Sequence, residues 1–266
     1  MIGPHTGLTF TSIKASHSEI DIKNLAISAS EFTRQTLATD DGAIEFGTLG
    51  SGTPVLMLPG RGGSGIEQFL LLGRALAEAG FRAIALNPRG VGSSNGPLDN
   101  LSLRDLARDV AAVIDSLAEP AHVIGRALGN RVARCVAADY PDQVISTCLI
   151  SAGGLFPPVA GAGNRMRSTL PITHTVWRKA GRAHELAART TPIGEWWAGG
   201  TAPIMVIQGL NDHIAPPENG RALASEFPDR VRLHEIDHAG HLVLFEQPER
   251  VIPLIIAFLI EHDSDR

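Results

Sequence analysis

The stretch that decides the fold is Val123-Ile124-Gly125-Arg126-Ala127-Leu128-Gly129. Its first residues end the segment Ala121–Ile124, which we interpret as a short strand, and a helical pattern over Gly129–Asp139 follows at once. The glycines two residues before and after Ala127 permit a tight, strained turn that lifts residue 127 above the edge of a sheet. The stretch therefore predicts a strand that turns directly into a helix, with Ala127 at the apex.

Short strands and helices alternate along the rest of the chain. The predicted strands are Phe32–Ala38, Ala43–Leu49, Val55–Leu58, Arg82–Leu86, Ala121–Ile124, Val144–Ser151, Ile204–Gln208 and Val231–Glu235. The predicted helices are Ile66–Ala79, Ser102 to about Leu117, Gly129–Asp139, Glu218–Glu226 and Glu249–Ile260. This order predicts an α/β fold with a mainly parallel central sheet flanked by helices. Pro253 lies inside the last helix and predicts a kink there or a later start.

The composition narrows the possible functions. The chain has 266 residues, of which 44% are hydrophobic and 19% charged, which suits one large domain with a buried core. A net charge of −5 argues against a nucleic-acid binder, and no apolar stretch approaches the ~20 residues of a membrane span. The two cysteines form no metal motif, so neither a metal nor another cofactor is expected. We expect a cytoplasmic monomer or homodimer that acts on a small molecule.

One segment differs from the rest in charge. Residues 155–200 contain six Arg or Lys residues and two Glu residues, although the whole chain is acidic. All three tryptophans, Trp177, Trp196 and Trp197, also lie in this segment. Such a mixture suits contact with a small, partly apolar molecule that carries an anion, although packing residues and a solvated helix face are the common explanations.

Two further places carry candidate chemistry. Asp212 follows a predicted strand, and His241 lies in the loop between the last predicted strand and the last helix. A strand–turn–helix apex, then an acid, then a histidine is the chain order of the α/β-hydrolase catalytic triad. Leu58–Gly63 is similar to the oxyanion loop of that family, and Asn87–Ser94 is similar to its Asp-x-Arg-Gly-x-Gly-x-Ser loop. The chain from Phe32 to Ile260 thus resembles the α/β-hydrolase fold family.

The resemblance implies a division of the chain and a set of site residues. It implies a core of residues 31–154 and 202–266, an N-terminal extension of residues 1–30 and a short helical lid of residues 155–201. Asp212 would orient His241 as a general base or acid, with Ala127 at the nucleophile position. The backbone N–H groups of Arg61 and Leu128 would form the oxyanion hole. The substrate contacts expected from the lid are Trp177, Trp196, Arg165 and Arg178.

The nucleophile position departs from the family pattern. A methyl group cannot attack a carbonyl, so Ala127 excludes a covalent acyl-enzyme at this residue. The segments Trp196–Gly200 and Pro216–Gly220 resemble those of a bacterial branch in which alanine stands naturally at the apex, and this favours a native alanine. A serine hydrolase with an engineered Ser-to-Ala exchange is the alternative.

Other residues could be mistaken for parts of the site. Ser64 and Ser151 lie at strand ends and could supply a hydroxyl, but neither has the pattern of a strand–turn–helix apex. Arg126 could bind an anion, although side chains next to the apex usually point away from the pocket. His238 lies close to His241, and we interpret it as a surface residue. We interpret Cys135 and Cys148 as inert packing residues.

Three classes of function are compatible with these residues. The first is an enzyme that uses a His241–Asp212 dyad and a backbone oxyanion hole on a small, partly apolar ester, lactone or carbonyl substrate, including anionic ones. The second is a non-hydrolytic acid–base enzyme, namely a lyase, an isomerase or a cofactor-free oxygenase. The third is a pseudoenzyme that binds a ligand. Because a pure binder does not need a dyad and an oxyanion loop, the residues favour an enzyme.

Overall fold

The computed structural model describes residues 28–162 and 177–263. Within these residues eight strands form one sheet in the order β1-β2-β4-β3-β5-β6-β7-β8. In chain order the strands are β1 Thr33–Thr39, β2 Gly42–Leu49, β3 Pro54–Leu58, β4 Arg82–Leu86, β5 Ala121–Arg126, β6 Val144–Ile150, β7 Ile204–Gly209 and β8 Val231–Ile236. Strand β2 runs antiparallel to both of its neighbours, β1 and β4, whereas the pairs from β4 to β8 are parallel. The predicted α/β fold with a mainly parallel sheet is confirmed.

Helices cover both faces of this sheet. They are α1 Gly65–Gln68, α2 Leu70–Glu78, α3 Leu103–Leu117, α4 Leu128–Asp139, α5 Arg178–Thr190, α6 Glu218–Glu226, α7 Val243–Glu246 and α8 Pro248–Asp263. One apolar core packs α3, α4 and α6 on one face, and a second packs α2 and α8 on the other. Every residue of β3, β5 and β7 is buried, as expected for strands covered on both sides.

The helix boundaries differ from the predictions in two places. The expected single helix Ile66–Ala79 is two helices, because Phe69 leaves the helical region at φ −113° and ψ 23°. The last helix begins at Pro248 and continues past Pro253, so the alternative of a later start is wrong. The start of α3 agrees with the sequence, since Ser102 and Asp105 form a reciprocal capping box.

The proposed division of the chain is only partly within the described residues. Residues 1–27 of the expected extension and residues 163–176 of the expected lid, with Arg165, lie outside them. The described part of residues 155–201 contains α5 and a short 3₁₀ turn, Ile193–Glu195. No helix in the described ranges combines the length and the apolar character needed to cross a bilayer.

Candidate active site

The turn between β5 and α4 is the centre of the candidate site. Ala127 has φ 52° and ψ −112°, a backbone conformation that costs a non-glycine residue about 1–3 kcal/mol. Glycine is required on both sides by close packing, because a Cβ on Gly125 would collide with the carbonyl oxygen of Gly129, and one on Gly129 would collide with that of Leu58. The strained turn predicted from the sequence is therefore present, with the Ala127 methyl group at its apex.

His241 and Asp212 are in direct contact. Nδ1 of His241 lies 2.9 Å from Oδ2 of the buried Asp212. The other oxygen, Oδ1, accepts the backbone N–H groups of Ile214 and Ala215, each at 2.8 Å. A carboxylate only accepts hydrogen bonds, so Nδ1 carries the imidazole proton and Nε2 is the basic nitrogen. Among the described residues Nε2 has no partner, which leaves it available to a water molecule or a substrate.

A chain of hydrogen bonds connects the apex to His241. The Nδ2 group of Asn130, in the first turn of α4, donates to the carbonyl oxygens of Ala127 and of Ser151, the latter at 3.2 Å. The hydroxyl of Ser151 in turn donates to the backbone carbonyl of His241 at 2.9 Å. These contacts hold the loop that carries the histidine against the strand–turn–helix element. They were not evident from the sequence, because no motif marks Asn130.

The same contacts account for the two serines. The Ser151 hydroxyl is occupied by the His241 backbone, and the Ser64 side chain accepts the Glu67 N–H at the start of α1. Both are structural contacts of loop residues, as interpreted from the sequence. The cysteines are also unsuited to be nucleophiles, since burial raises the pKa of Cys135 to about 12 and raises the pKa of Cys148 further.

The predicted oxyanion donors lie on either side of the apex. Arg61 belongs to a tight turn in which the N–H of Gly63 donates to the carbonyl of Gly60 at 3.1 Å. Leu128 is the first residue of α4, where backbone N–H groups have no acceptor inside the helix. In the described part of the chain neither the Arg61 nor the Leu128 N–H has a hydrogen-bond acceptor. Their role as an oxyanion hole stays a prediction.

Helix α5 is attached to the Leu58–Gly63 loop through His184. The N–H of Gly62 donates to Nδ1 of His184 at 3.3 Å, and Nε2 of the same ring lies 2.9 Å from the carbonyl of Arg89. Because Nδ1 accepts, Nε2 carries the proton and the ring is neutral. Burial lowers the pKa of His184 to about 4. The sequence reasoning missed this residue, which stands in a basic helix without any recognisable pattern.

The predicted substrate contacts fall in different places. The N–H of Trp177 donates to the carbonyl of Gly62 at 3.0 Å, so Trp177 lies at the Leu58–Gly63 loop. The neighbouring Arg178 is exposed. Trp196 is only 3% exposed and packs between the guanidinium groups of Arg131 and Arg134, 5.0 and 4.6 Å from its ring. Trp196 thus packs against two arginines of α4. A substrate contact by any of these residues stays a prediction.

The described residues contain no cluster of three or more His, Cys, Asp or Glu side chains that could hold a metal ion. Arg126, which the sequence analysis named as a residue that could bind an anion, is a buried charge. Its side chain is 7% exposed and lies against Gln68 and Phe245, next to the apex.

Comparison with known proteins identifies the family. A family model described as "alpha/beta hydrolase fold" matches residues 53–184 and 155–248. The chain belongs to the α/β-hydrolase fold family. It is 31% identical over 228 residues to a protein of Variovorax paradoxus named "Putative carbamate hydrolase RutD", a match that covers 71% of this chain and 85% of that protein.

Solved structures of this family show the same fold. The crystal structure of "Putative non-heme bromoperoxidase BpoC" from Mycobacterium tuberculosis has a TM-score of 0.68 and 24% identity, and covers 86% of this chain and 99% of its own. A meta-cleavage product hydrolase from Pseudomonas fluorescens, solved as a serine-to-alanine mutant with acetates, has a TM-score of 0.70 and 23% identity, with 87% and 99% covered. At these identities the likeness concerns the fold alone.

Proposed function

We propose that this protein is an enzyme in which the His241–Asp212 dyad activates water directly, without a covalent intermediate at residue 127. The substrate is a small, partly apolar ester, lactone or activated carbonyl compound. The observation that carries the proposal is the 2.9 Å contact between Nδ1 of His241 and Oδ2 of Asp212, which orients the imidazole. Nε2 of His241 has no partner in the described residues, and the nucleophile position of the fold bears a methyl group.

The proposed reaction uses only groups of the site and one water molecule. Nε2 of His241 takes a proton from water as the water oxygen forms a bond to the carbonyl carbon. The negative charge that develops on the carbonyl oxygen is stabilised by the N–H groups of Arg61 and Leu128. When the intermediate collapses, the bond to the leaving oxygen breaks and His241 returns the proton to it. Asp212 stabilises the imidazolium in between.

The relatives support this class of reaction but not a particular substrate. The names of the Variovorax protein and of a Pseudomonas relative, 23% identical over 274 residues, describe hydrolases of a carbamate and of 2-hydroxy-6-oxononadienedioate. Each name combines hydrolysis with a substrate that contains a carbonyl group. We extend only that common chemistry to the present chain.

The first test is a panel of small esters and lactones, with His241→Ala compared against the parent protein. We expect the substitution to lower kcat/KM at least ~100-fold, the usual contribution of a general base. The matched control is His238→Ala, three residues away, whose side chain is 89% exposed and lies 3.9 Å from the carboxylate of Asp237. An unchanged rate in His241→Ala, or an equal loss in His238→Ala, would contradict the dyad.

The lid is proposed to bind the anionic part of the substrate through its arginines. We therefore expect Arg178→Glu, and likewise Arg165→Glu, to raise KM for substrates with a carboxylate and to leave KM for uncharged analogues unchanged. Steady-state kinetics on matched acid and amide substrates measure this difference. An equal change for both kinds of substrate would exclude a role of the lid in recognising the charge.

A further inference from the structure

Arg126 is a buried cation for which the described part of the chain provides no counter-ion. Its only hydrogen bond there runs from Nη1 to Oε1 of Gln68 at 3.0 Å, and its guanidinium lies 5.0 Å from the centre of the Phe245 ring. The buried Nε has no hydrogen-bond partner. No carboxylate of the described residues lies within ion-pair distance of this group.

Such an arrangement is costly unless something else compensates the charge. Removing an unpaired ion from water costs several kcal/mol in a protein interior, and an unsatisfied buried donor adds to this. Burial lowers the pKa of Arg126 to about 10, and the Asp212 carboxylate opposes part of that effect, so the group stays charged at neutral pH.

The buried Arg134 of α4 shows how many hydrogen bonds a buried guanidinium can make in this region. Arg134 is fully buried in α4, yet it donates to the carbonyl of Gly153 and to the side chain and carbonyl of Asn130. Its guanidinium also packs on Trp196 and Trp197. Arg134 also has one buried nitrogen without a partner, Nη1, and no ion pair in the described residues. It makes three hydrogen bonds there, however, whereas Arg126 makes one.

The position of Arg126 relative to the apex is defined through Gly60. A Cβ on Gly60 would lie 2.9 Å from Nη1 of Arg126 and 3.6 Å from the Cβ of Ala127. Nη1 of Arg126 therefore packs against Gly60 in the place that a side chain at residue 60 would take, next to the Ala127 methyl. Gln68 fixes this geometry, because its Oε1 also accepts the Gly60 N–H at 3.1 Å.

We propose that Arg126 binds a carboxylate of the substrate next to the reacting carbonyl group. With Nη1 held by Gln68, the edge formed by Nε and Nη2 has no acceptor in the described residues and matches the two oxygens of a carboxylate. Because Arg126 and the Ala127 methyl both lie against Gly60, we expect substrates in which the carboxylate and the reacting carbonyl are close together. This inference rests on the proposed function for the reaction, and adds a binding residue beside the apex itself.

The experiment uses acetate as the probe and acetamide as its neutral counterpart, at constant ionic strength. Calorimetric titration and thermal unfolding of the intact protein should show binding of acetate and none of acetamide. We expect Arg126→Met to weaken acetate binding at least ~10-fold, because a charge-assisted bidentate contact is lost. The matched control is Arg189→Met, an exposed arginine of α5 without an ion pair in the described structure, which should bind acetate as the parent does.

Each result decides for or against the inference. Equal binding of acetate and acetamide by the parent protein, or full acetate binding by Arg126→Met, would overturn it. If Arg126→Met does not fold, Arg126→Gln and the acetate–acetamide comparison on the parent still give the answer. Inorganic phosphate, tested alongside, should bind more weakly than acetate, and preferential phosphate binding would overturn the choice of a carboxylate. Acetate binding that persists in an inactive His241→Ala protein would separate this subsite from the dyad.

Discussion

At the scale of single residues, the candidate site combines a strained backbone with a side chain that cannot react. Ala127 keeps the positive φ that projects the apex residue above the sheet, although alanine has no chemistry that would profit from this projection. The dyad on the neighbouring loops is nevertheless complete in geometry, since His241 and Asp212 are in contact. The oriented His241 therefore favours chemistry on a bound water or substrate over a purely structural role for this turn and its loops.

The strain at Ala127 leads to a prediction about stability. Glycine adopts positive φ without penalty, so Ala127→Gly should leave the free energy of unfolding unchanged or raise it by up to about 1 kcal/mol. Ala133→Gly, at a buried position in the middle of α4, should instead lower it by at least about 1 kcal/mol. Chemical denaturation of both variants measures the difference. Equal losses would mean that the apex stores no strain.

Arg126 gives a second prediction at this scale, independent of ligand binding. A buried ion without a counter-ion is replaced at little or no cost by an apolar side chain of similar length. Without added anions, Arg126→Met should therefore lose little stability or gain some. Arg134→Met removes three hydrogen bonds and should be destabilised by about 1–3 kcal/mol. Thermal unfolding compares the two, and a similar loss in both would show that Arg126 has a structural role.

At the scale of elements, the attachment of α5 to the core depends on a neutral histidine. His184 joins Gly62 in the oxyanion loop to the Arg89 loop, and it can do so only while Nδ1 is free to accept. Arg89 is itself held by the buried carboxylate of Asp109, at 2.7 Å. Protonation of His184 would break the contact to Gly62, so α5 and the Leu58–Gly63 loop share one titrating group.

The pH dependence of stability follows from this arrangement. The pKa of His184 is about 4 in the folded protein, against an ordinary value of 6.5 when unfolded. Above pH 6.5 the ring is neutral in both states and its contribution is constant. As the pH falls from 6.5 to 4 the unfolded chain takes up a proton that the folded protein does not, so stability decreases by up to about 1.4 kcal/mol per pH unit.

Substitution separates this group from other titrating residues. In His184→Gln the side chain keeps a donor and an acceptor but does not titrate, so we expect a shallower loss of stability between pH 6.5 and 4. His238→Gln, at an exposed position, should leave the profile of the parent unchanged. Urea denaturation at several pH values measures both. The same slope in His184→Gln as in the parent would contradict a buried neutral histidine.

At the scale of the whole molecule, the sequence predicted the fold more completely than the site. The periodicity of strands and helices, together with the glycines around Ala127, was enough to predict the sheet. Each strand is a short apolar run that can be recognised from its own residues. The order of apex, acid and histidine was enough to place Asp212 against His241. By contrast, the break at Phe69 depends on local backbone geometry that the apolar pattern does not encode.

The side-chain contacts that the sequence did not predict have a common physical reason. The direction of the Arg126 side chain depends on Gln68 and Phe245, which are far away in the chain. The contacts of His184 likewise join segments that are distant in the chain, and a single sequence carries no signal for them. The basic character of residues 155–200 was visible in the composition, whereas the residues that these side chains contact were not.

The most direct test of the central claim restores a nucleophile at the apex. A strained turn beside a working dyad predicts that Ala127→Ser reacts with a serine-directed phosphonate and gains one adduct by intact-protein mass spectrometry. The parent protein should gain none, and the double variant Ala127→Ser with His241→Ala should react at least ~100-fold more slowly. An adduct on the parent protein, or no faster reaction in Ala127→Ser than in the double variant, would contradict the account.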